Sequence, residues 1–125
     1  MVRRLKVLGK RITEAVIAEL DDGADVIVAR QKAAAPKESG RLESTIRRSK
    51  VRQGKKSATV TIRAGGRATT DASSTRPGGF DYAVEQEFGN KNMPAHPFFY
   101  PPIRQNAEDI KRKIRRAFRA EVKDF

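Results

Sequence analysis

The sequence predicts an α+β protein with a long N-terminal helix, a mainly antiparallel sheet of about three or four strands, and a C-terminal helix packed on the sheet. Apolar residues recur every three or four positions at both ends of the chain. Between these stretches lie short alternating runs broken by glycine, and prolines stand where the helices should stop and start.

In the first stretch, Leu5, Leu8, Ile12, Val16, Leu20, Ala24 and Ile27 fall on one helical face, with Lys10, Arg11, Glu14 and Asp21 on much of the rest. A continuous helix from Arg4 to Ala34 would be about 45 Å long at about 1.5 Å per residue. That length asks for cover from a neighbouring subunit. Gly23 costs about 1 kcal/mol against alanine in a helix and predicts a bend. Pro36 ends the helix, because the residue before a proline is pushed out of helical geometry.

Residues 36–49 begin as a turn around Gly40 and become extended or briefly helical near Leu42 and Ile46. A strand over 45–52 then leads through Gly54, Lys55 and Lys56 into SATVTIRA, where Ala58, Val60 and Ile62 alternate with Thr59, Thr61 and Arg63. The first strand alternates poorly and reads as an edge. Residues 65–79 hold four glycines and almost nothing apolar, which predicts a mobile loop. A third strand is expected over 81–88, with Tyr82 and Val84 on one side. The last helix starts at Pro101–Pro102, where missing amide hydrogens are tolerated, and carries Ile103, Ala107, Ile110, Ile114, Ala117 or Phe118, and Val122.

The 125 residues carry 27 Lys and Arg against 15 Asp and Glu, a net charge of +12. That balance favours polyanionic surroundings. Cysteine is absent, so disulfides, thiol chemistry and cysteine metal sites are excluded. No apolar run has signal-peptide or membrane-span character, and the expectation is a soluble chain that is not secreted.

The residues for catalysis are sparse, and neither catalytic residues, a metal site nor a cofactor is expected. His96 is the single histidine. It could orient a partner or touch a metal with Glu85 or Glu87, but a structural or exposed role is simpler. On a strand Glu85 and Glu87 would share a face, where salt bridges suit them better than acid–base work. Asp21, Asp22 and Asp25 lack the length and closing glutamate of a calcium loop. No glycine pair has the lysine and strand–helix context of a nucleotide site.

Two basic clusters stand out. Arg47, Arg48, Lys50, Arg52, Lys55 and Lys56 surround the hairpin turn, and Lys111, Arg112, Lys113, Arg115, Arg116 and Arg119 crowd the last helix. Either could face a polyanion or a protein partner; a solvated outer face is the plain alternative. Neither cluster carries aromatic platforms for single strands, and the first helix followed by PKESG lacks a helix-turn-helix pattern. Phe88, Phe98, Phe99 and Tyr100 form an aromatic group of which two members should close the core, leaving others for a subunit anchor.

Two blocks, AAAPKESGRLESTI at 33–46 and YAVEQEFGNKNMPAHPFFYPPI at 82–103, resemble the phage HK97 gp10-like family of tail-completion, head–tail joining or neck proteins. The extra polar residue in EQEFG and the Tyr100-Pro101-Pro102 run in place of the commoner Arg-Pro-Ala depart from the family pattern. The resemblance implies one tail-completion-like domain over 1–125 with a flexible loop at 65–79. By it, Pro36, Gly40, Arg41 and Leu42 shape the helix-to-sheet turn. Tyr82, Glu87, Phe88 and Gly89 end the central strand, and Pro94, Pro97 and Phe98 fix the crossing into the last helix. It further implies a virion protein, not an enzyme, assembled in the host cytoplasm as a homomeric ring, with six subunits the expected number. Its partners would be the head connector or stopper protein, the tail tube protein and double-stranded DNA in the lumen, with no membrane. A basic DNA-binding protein acting outside a virion is the alternative. A small metal-dependent hydrolase is disfavoured by the single histidine and lack of cysteine.

Overall fold

The computed structural model describes residues 2–37, 40–55, 57–71, 80–91 and 94–123. Helix α1 runs unbroken over Val2–Ala34, and α4 covers Tyr100–Lys123. They lie antiparallel, with Arg11 level with Glu121 (2.9 Å), Gly23 against Ile110, and Arg30 donating to Asn106 (2.5 Å).

Gly23 lies within the unbroken helix and marks a contact with α4. A Cβ at this position would come within 2.8 Å of both Cγ1 and Cδ1 of Ile110, so the missing side chain lets the two helices close up. Leu20, Ala24 and Ile27 of α1 and Ile103, Ala107 and Ile110 of α4 line one apolar cleft, covered from the third side by Val60 and Ile62. The last helix therefore packs chiefly on the first, with the hairpin laid across both.

The chain leaves α1 through a turn whose Gly40 has φ +70°, a left-handed geometry that favours glycine, and makes the short helix α2, Arg41–Thr45. The hairpin follows as β1 (Arg47–Arg48), β2 (Arg52–Gln53), β3 (Ala58–Thr59) and β4 (Ile62–Arg63). Arg47 pairs with Arg63 and Arg48 with Ile62, whereas Arg52 pairs with Thr59 and Gln53 with Ala58. Ser49, Lys50 and Val51 thus face only Val60 and Thr61, which makes a β-bulge with one extra residue in the first strand. Ser49 holds it: its amide donates to the Thr61 carbonyl (2.8 Å) and its Oγ accepts from the Thr61 amide (2.9 Å). This strand alternates poorly in sequence because Arg48 and Gln53, opposite Ile62 and Ala58, are polar and the bulge shifts the parity between them.

Part of the expected mobile loop has defined structure. Residues Arg67–Thr69 form a 3-10 turn, and β5 (Thr70–Asp71) pairs antiparallel with β6 (Phe80–Asp81). The Gly65 amide donates to Thr45 Oγ1 (2.9 Å) and the Thr69 hydroxyl to Asp81 Oδ1 (2.8 Å), so polar contacts supply the order that apolar content does not. Residues 72–79 of that loop lie outside the described residues. The described strands pair antiparallel throughout, in two-stranded ladders: the two halves of the bulged hairpin, and β5 with β6.

The third strand expected over 81–88 is a helix, α3, Tyr82–Phe88. Asp81 is its N-cap, in extended geometry with Oδ1 accepting from the Ala83 amide (2.9 Å). Gly89, at φ +72°, closes it and donates to the Glu85 carbonyl. The buried positions Ala83, Gln86 and Glu87 fall at helical spacing, but two are polar, so apolar alternation alone points wrongly to a strand.

The core gathers where these pieces meet. Ala35, Leu42, Ile46, Ala83 and Phe98 form one buried cluster, with Val28, Ala64, Tyr82 and Phe99 packed on it. Burying Leu42 and Phe98 contributes about 1.5–3 kcal/mol each.

Candidate interaction surfaces

One side chain holds the crossing into α4. Glu87 is buried, and its Oε1 accepts from the amides of Phe98 (2.9 Å) and Phe99 (2.8 Å) while Oε2 accepts from that of Tyr100 (3.2 Å). Tyr100 opens α4 and its amide lacks an internal partner, so the carboxylate caps that end from another helix while also holding the two amides ahead of it. Gln31, fully buried, adds a second tie by donating Nε2 to the Phe99 carbonyl (2.8 Å). Glu85 takes a different direction and accepts from Asn90 (2.7 Å). The shared strand face expected for Glu85 and Glu87 does not exist, because two positions along a helix turn them to different sides.

The locked crossing sets the aromatic rings in a row. Phe98 is 1 % exposed and Phe99 is half-buried, whereas Tyr100 is 44 % and Phe88 66 % exposed. Ring centroids step outward at 6.3 Å from Phe98 to Phe99, 5.0 Å to Tyr100 and 6.2 Å to Phe88. Ala64, Ala83 and Val84 complete an apolar depression beside the two outer rings. Of the other architectural residues, Leu42 is buried, Pro36 and Tyr82 are half-buried, and Arg41, Pro94 and Pro97 are exposed. Tyr82, Glu87, Phe88 and Gly89 belong to a helix and its cap instead of a strand end.

Further exposed apolar side chains lie at the far end of the helix pair. Leu5, Val7, Phe118 and Val122 are each 43 % exposed or more. Because Arg11 is already level with Glu121, the first two turns of α1 extend past the described end of α4.

The arginines divide by what they touch. Arg48 crosses to α1, with Nη1 on Asp21 (2.9 Å) and Nε on Asp25 (2.8 Å). The hydrogen bond it donates to Asp21, ahead of the charge of Asp25, raises its pKa above the ordinary arginine value against the opposing pull of burial. Arg48 is thus a tie between hairpin and helix. Arg47 donates Nη1 to the carbonyls of Thr45 (2.7 Å) and Gly65 (3.1 Å). Arg52 and Lys50 are exposed. With Ser49, Thr61 and Arg63, the arginines at 47, 48 and 52 line one hollow on the hairpin.

On α4, Lys111 meets Glu108 (3.4 Å), and Arg112 and Lys113 meet Asp109 (2.9 and 3.3 Å), surface pairs worth little individually. Arg115, Arg116 and Arg119 are exposed and have no carboxylate partner among the described residues. His96 is exposed, and its backbone amide donates to the Gln86 carbonyl (2.8 Å). Among the described residues no three His, Cys, Asp or Glu side chains gather as a metal-holding group, and no helix is long and apolar enough to cross a membrane.

Asp81, Gln31 and Arg63 are not picked out by the sequence patterns above. An aspartate ahead of positions spaced three and four apart is a usable signal for the first. Arg63 becomes visible only once the hairpin register sets it opposite Arg47.

Residues 1–89 match the family model described as "Bacteriophage HK97-gp10, putative tail-component". The match contains the whole block at 33–46 and the second block as far as Gly89. No curated protein and no solved structure matches the chain.

Proposed function

The chain belongs to the HK97-gp10-like family of phage tail components, and on that premise we propose that it is a structural ring subunit at the head-proximal end of a tail. There it would terminate the tail tube and meet the head connector, with double-stranded DNA passing through the lumen. The observation that carries this reading is the pair of exposed rings, Phe88 and Tyr100, set on a frame that Glu87 holds rigid. Rigid aromatic area costs little entropy to dock, which suits a subunit anchor.

A ring needs one contact between two different surfaces, repeated until it closes. The far end, around Leu5, Phe118 and Val122, supplies that other surface. It lies about 27 Å along α4 from Tyr100 at about 1.5 Å per residue. Docking the aromatic depression of one copy on the free helix end of the next would cover both, and six copies is the expected closure.

Native mass spectrometry tests this on the full chain, alone and mixed with the tail tube and connector proteins. A discrete closed oligomer, alone or in the mixture, is the expected result. A monomer under both conditions overturns the ring. A basic DNA-binding protein acting outside a virion is the second reading, favoured by Arg115, Arg116 and Arg119, which have no carboxylate partner among the described residues; it predicts a monomer that binds duplex DNA.

A further inference from the structure

We propose that the outer face of the bulged hairpin is a phosphate-binding surface for duplex DNA, with Arg52 and Arg63 as its contact residues and Arg47 aligned beside them. Strand parity decides which side chains share that face. Side chains alternate along a strand, so Arg47 and Arg52, an odd number of positions apart, would point to opposite faces of a regular strand. The extra residue among Ser49, Lys50 and Val51 reverses that parity. Arg47 then stands opposite Arg63, and Arg52 opposite Thr59. Thr59, Thr61 and Arg63 share one face of the second strand, because Val60 and Ile62 on the other line the cleft over the helices. The bulge therefore gathers Arg47, Arg52 and Arg63 on the side away from the core.

The electrostatics of this face call for an anion. Like charges directly opposite across two strands repel, and Arg47 and Arg63 are such a pair. Arg48 is neutralised by Asp21 and Asp25, whereas Arg52 and Arg63 have no carboxylate partner among the described residues. Arg47 is held in place by two carbonyls, so part of the ordering that a ligand would demand is already present.

The lining chooses between nucleic acid and an acidic protein. Arginine side chains and the hydroxyl residues Ser49 and Thr61 make up the hollow, with no apolar or aromatic side chain among them. Protein interfaces are anchored by buried aromatics, while DNA interfaces are polar and strongly positive. The exposed aromatics of this chain lie elsewhere, at Phe88 and Tyr100.

The test is binding of a short labelled duplex to the full chain by fluorescence anisotropy, between about 50 and about 200 mM salt. Arg52→Glu with Arg63→Glu should weaken affinity at least about tenfold and flatten the slope of log affinity against log salt by about 0.9 for each phosphate no longer neutralised. Both side chains are exposed, so the melting temperature should hold. A composition-neutral exchange, Arg52→Gln with Gln53→Arg, should weaken binding as much as Arg52→Gln alone, because position 53 has the other parity. Four results would overturn the proposal: no binding of duplex by the unaltered chain at low salt; full binding by the charge-reversed pair; full binding by the exchanged pair; or polyglutamate held as tightly as DNA. None of these depends on ring closure, so a ring that ignores DNA refutes this inference alone, and a monomer that passes the test refutes only the ring.

Discussion

The two ends of the α1–α4 pair are built on opposite plans. At one end Leu42, Ile46 and Phe98 are buried together, and Glu87 and Gln31 fasten the backbone of residues 98–100 from two other helices. At the other end Leu5, Val7, Phe118 and Val122 stand exposed, with the Arg11–Glu121 pair as the tie between the helices. The first end is fastened and presents Phe88 and Tyr100 at its edge; the second leaves its apolar side chains uncovered on a free helix end. On the proposed ring reading both ends would supply docking surface, one on a fastened frame and one on a free helix end.

The largest effects on stability should come from the buried end. Phe98→Ala should cost about 3–5 kcal/mol in chemical denaturation, as for other buried phenylalanines. Glu87→Ala should follow at about 3 kcal/mol, since it strips a charged acceptor from the amides of residues 98–100. Glu87→Gln retains one acceptor oxygen and should cost about half as much. A Glu87→Ala variant as stable as the parent would remove the basis for calling this end locked.

Midway along the pair, Gly23→Val should destabilise by about 1–3 kcal/mol through overpacking against Ile110. Recovery with Ile110→Ala in the same chain would show that the destabilisation arises at this packing point. Asp81→Ala removes the cap of α3 and should lower stability by about 0.5–2 kcal/mol, read from the shift in denaturation midpoint. Smallest of all, Leu5→Ser and Phe118→Ser should change monomer stability by no more than about 0.5 kcal/mol. They should nevertheless weaken self-association in sedimentation; equal association by both variants would remove the free end from the proposed interface.

The same contrast explains what the sequence could tell. Both long helices were legible, because Leu20, Ala24 and Ile27, and Ile103, Ala107 and Ile110, repeat at helical spacing and do meet. The turn at Gly40 was legible from glycine and proline, but whether the chain near Leu42 is extended or briefly helical was settled only by the fold, as α2. The helix at 82–88 was not, since its inward face carries Gln86 and Glu87, whose burial is offset by backbone partners that no local pattern reveals. The bulge was hidden too, because it is a property of two strands in register and not of either strand. Among the candidate charges, sequence density weighted Arg48 and Arg52 alike; only the fold shows Arg48 matched by Asp21 and Asp25.

Amide hydrogen exchange of the full chain, followed by mass spectrometry over a wide range of concentrations, tests this contrast most directly. Residues 98–100 should be protected at every concentration. Protection at 2–10 and at 84–88 should rise only as oligomers form. Rapid exchange at 98–100, or oligomers that form with no added protection at either apolar area, would contradict it.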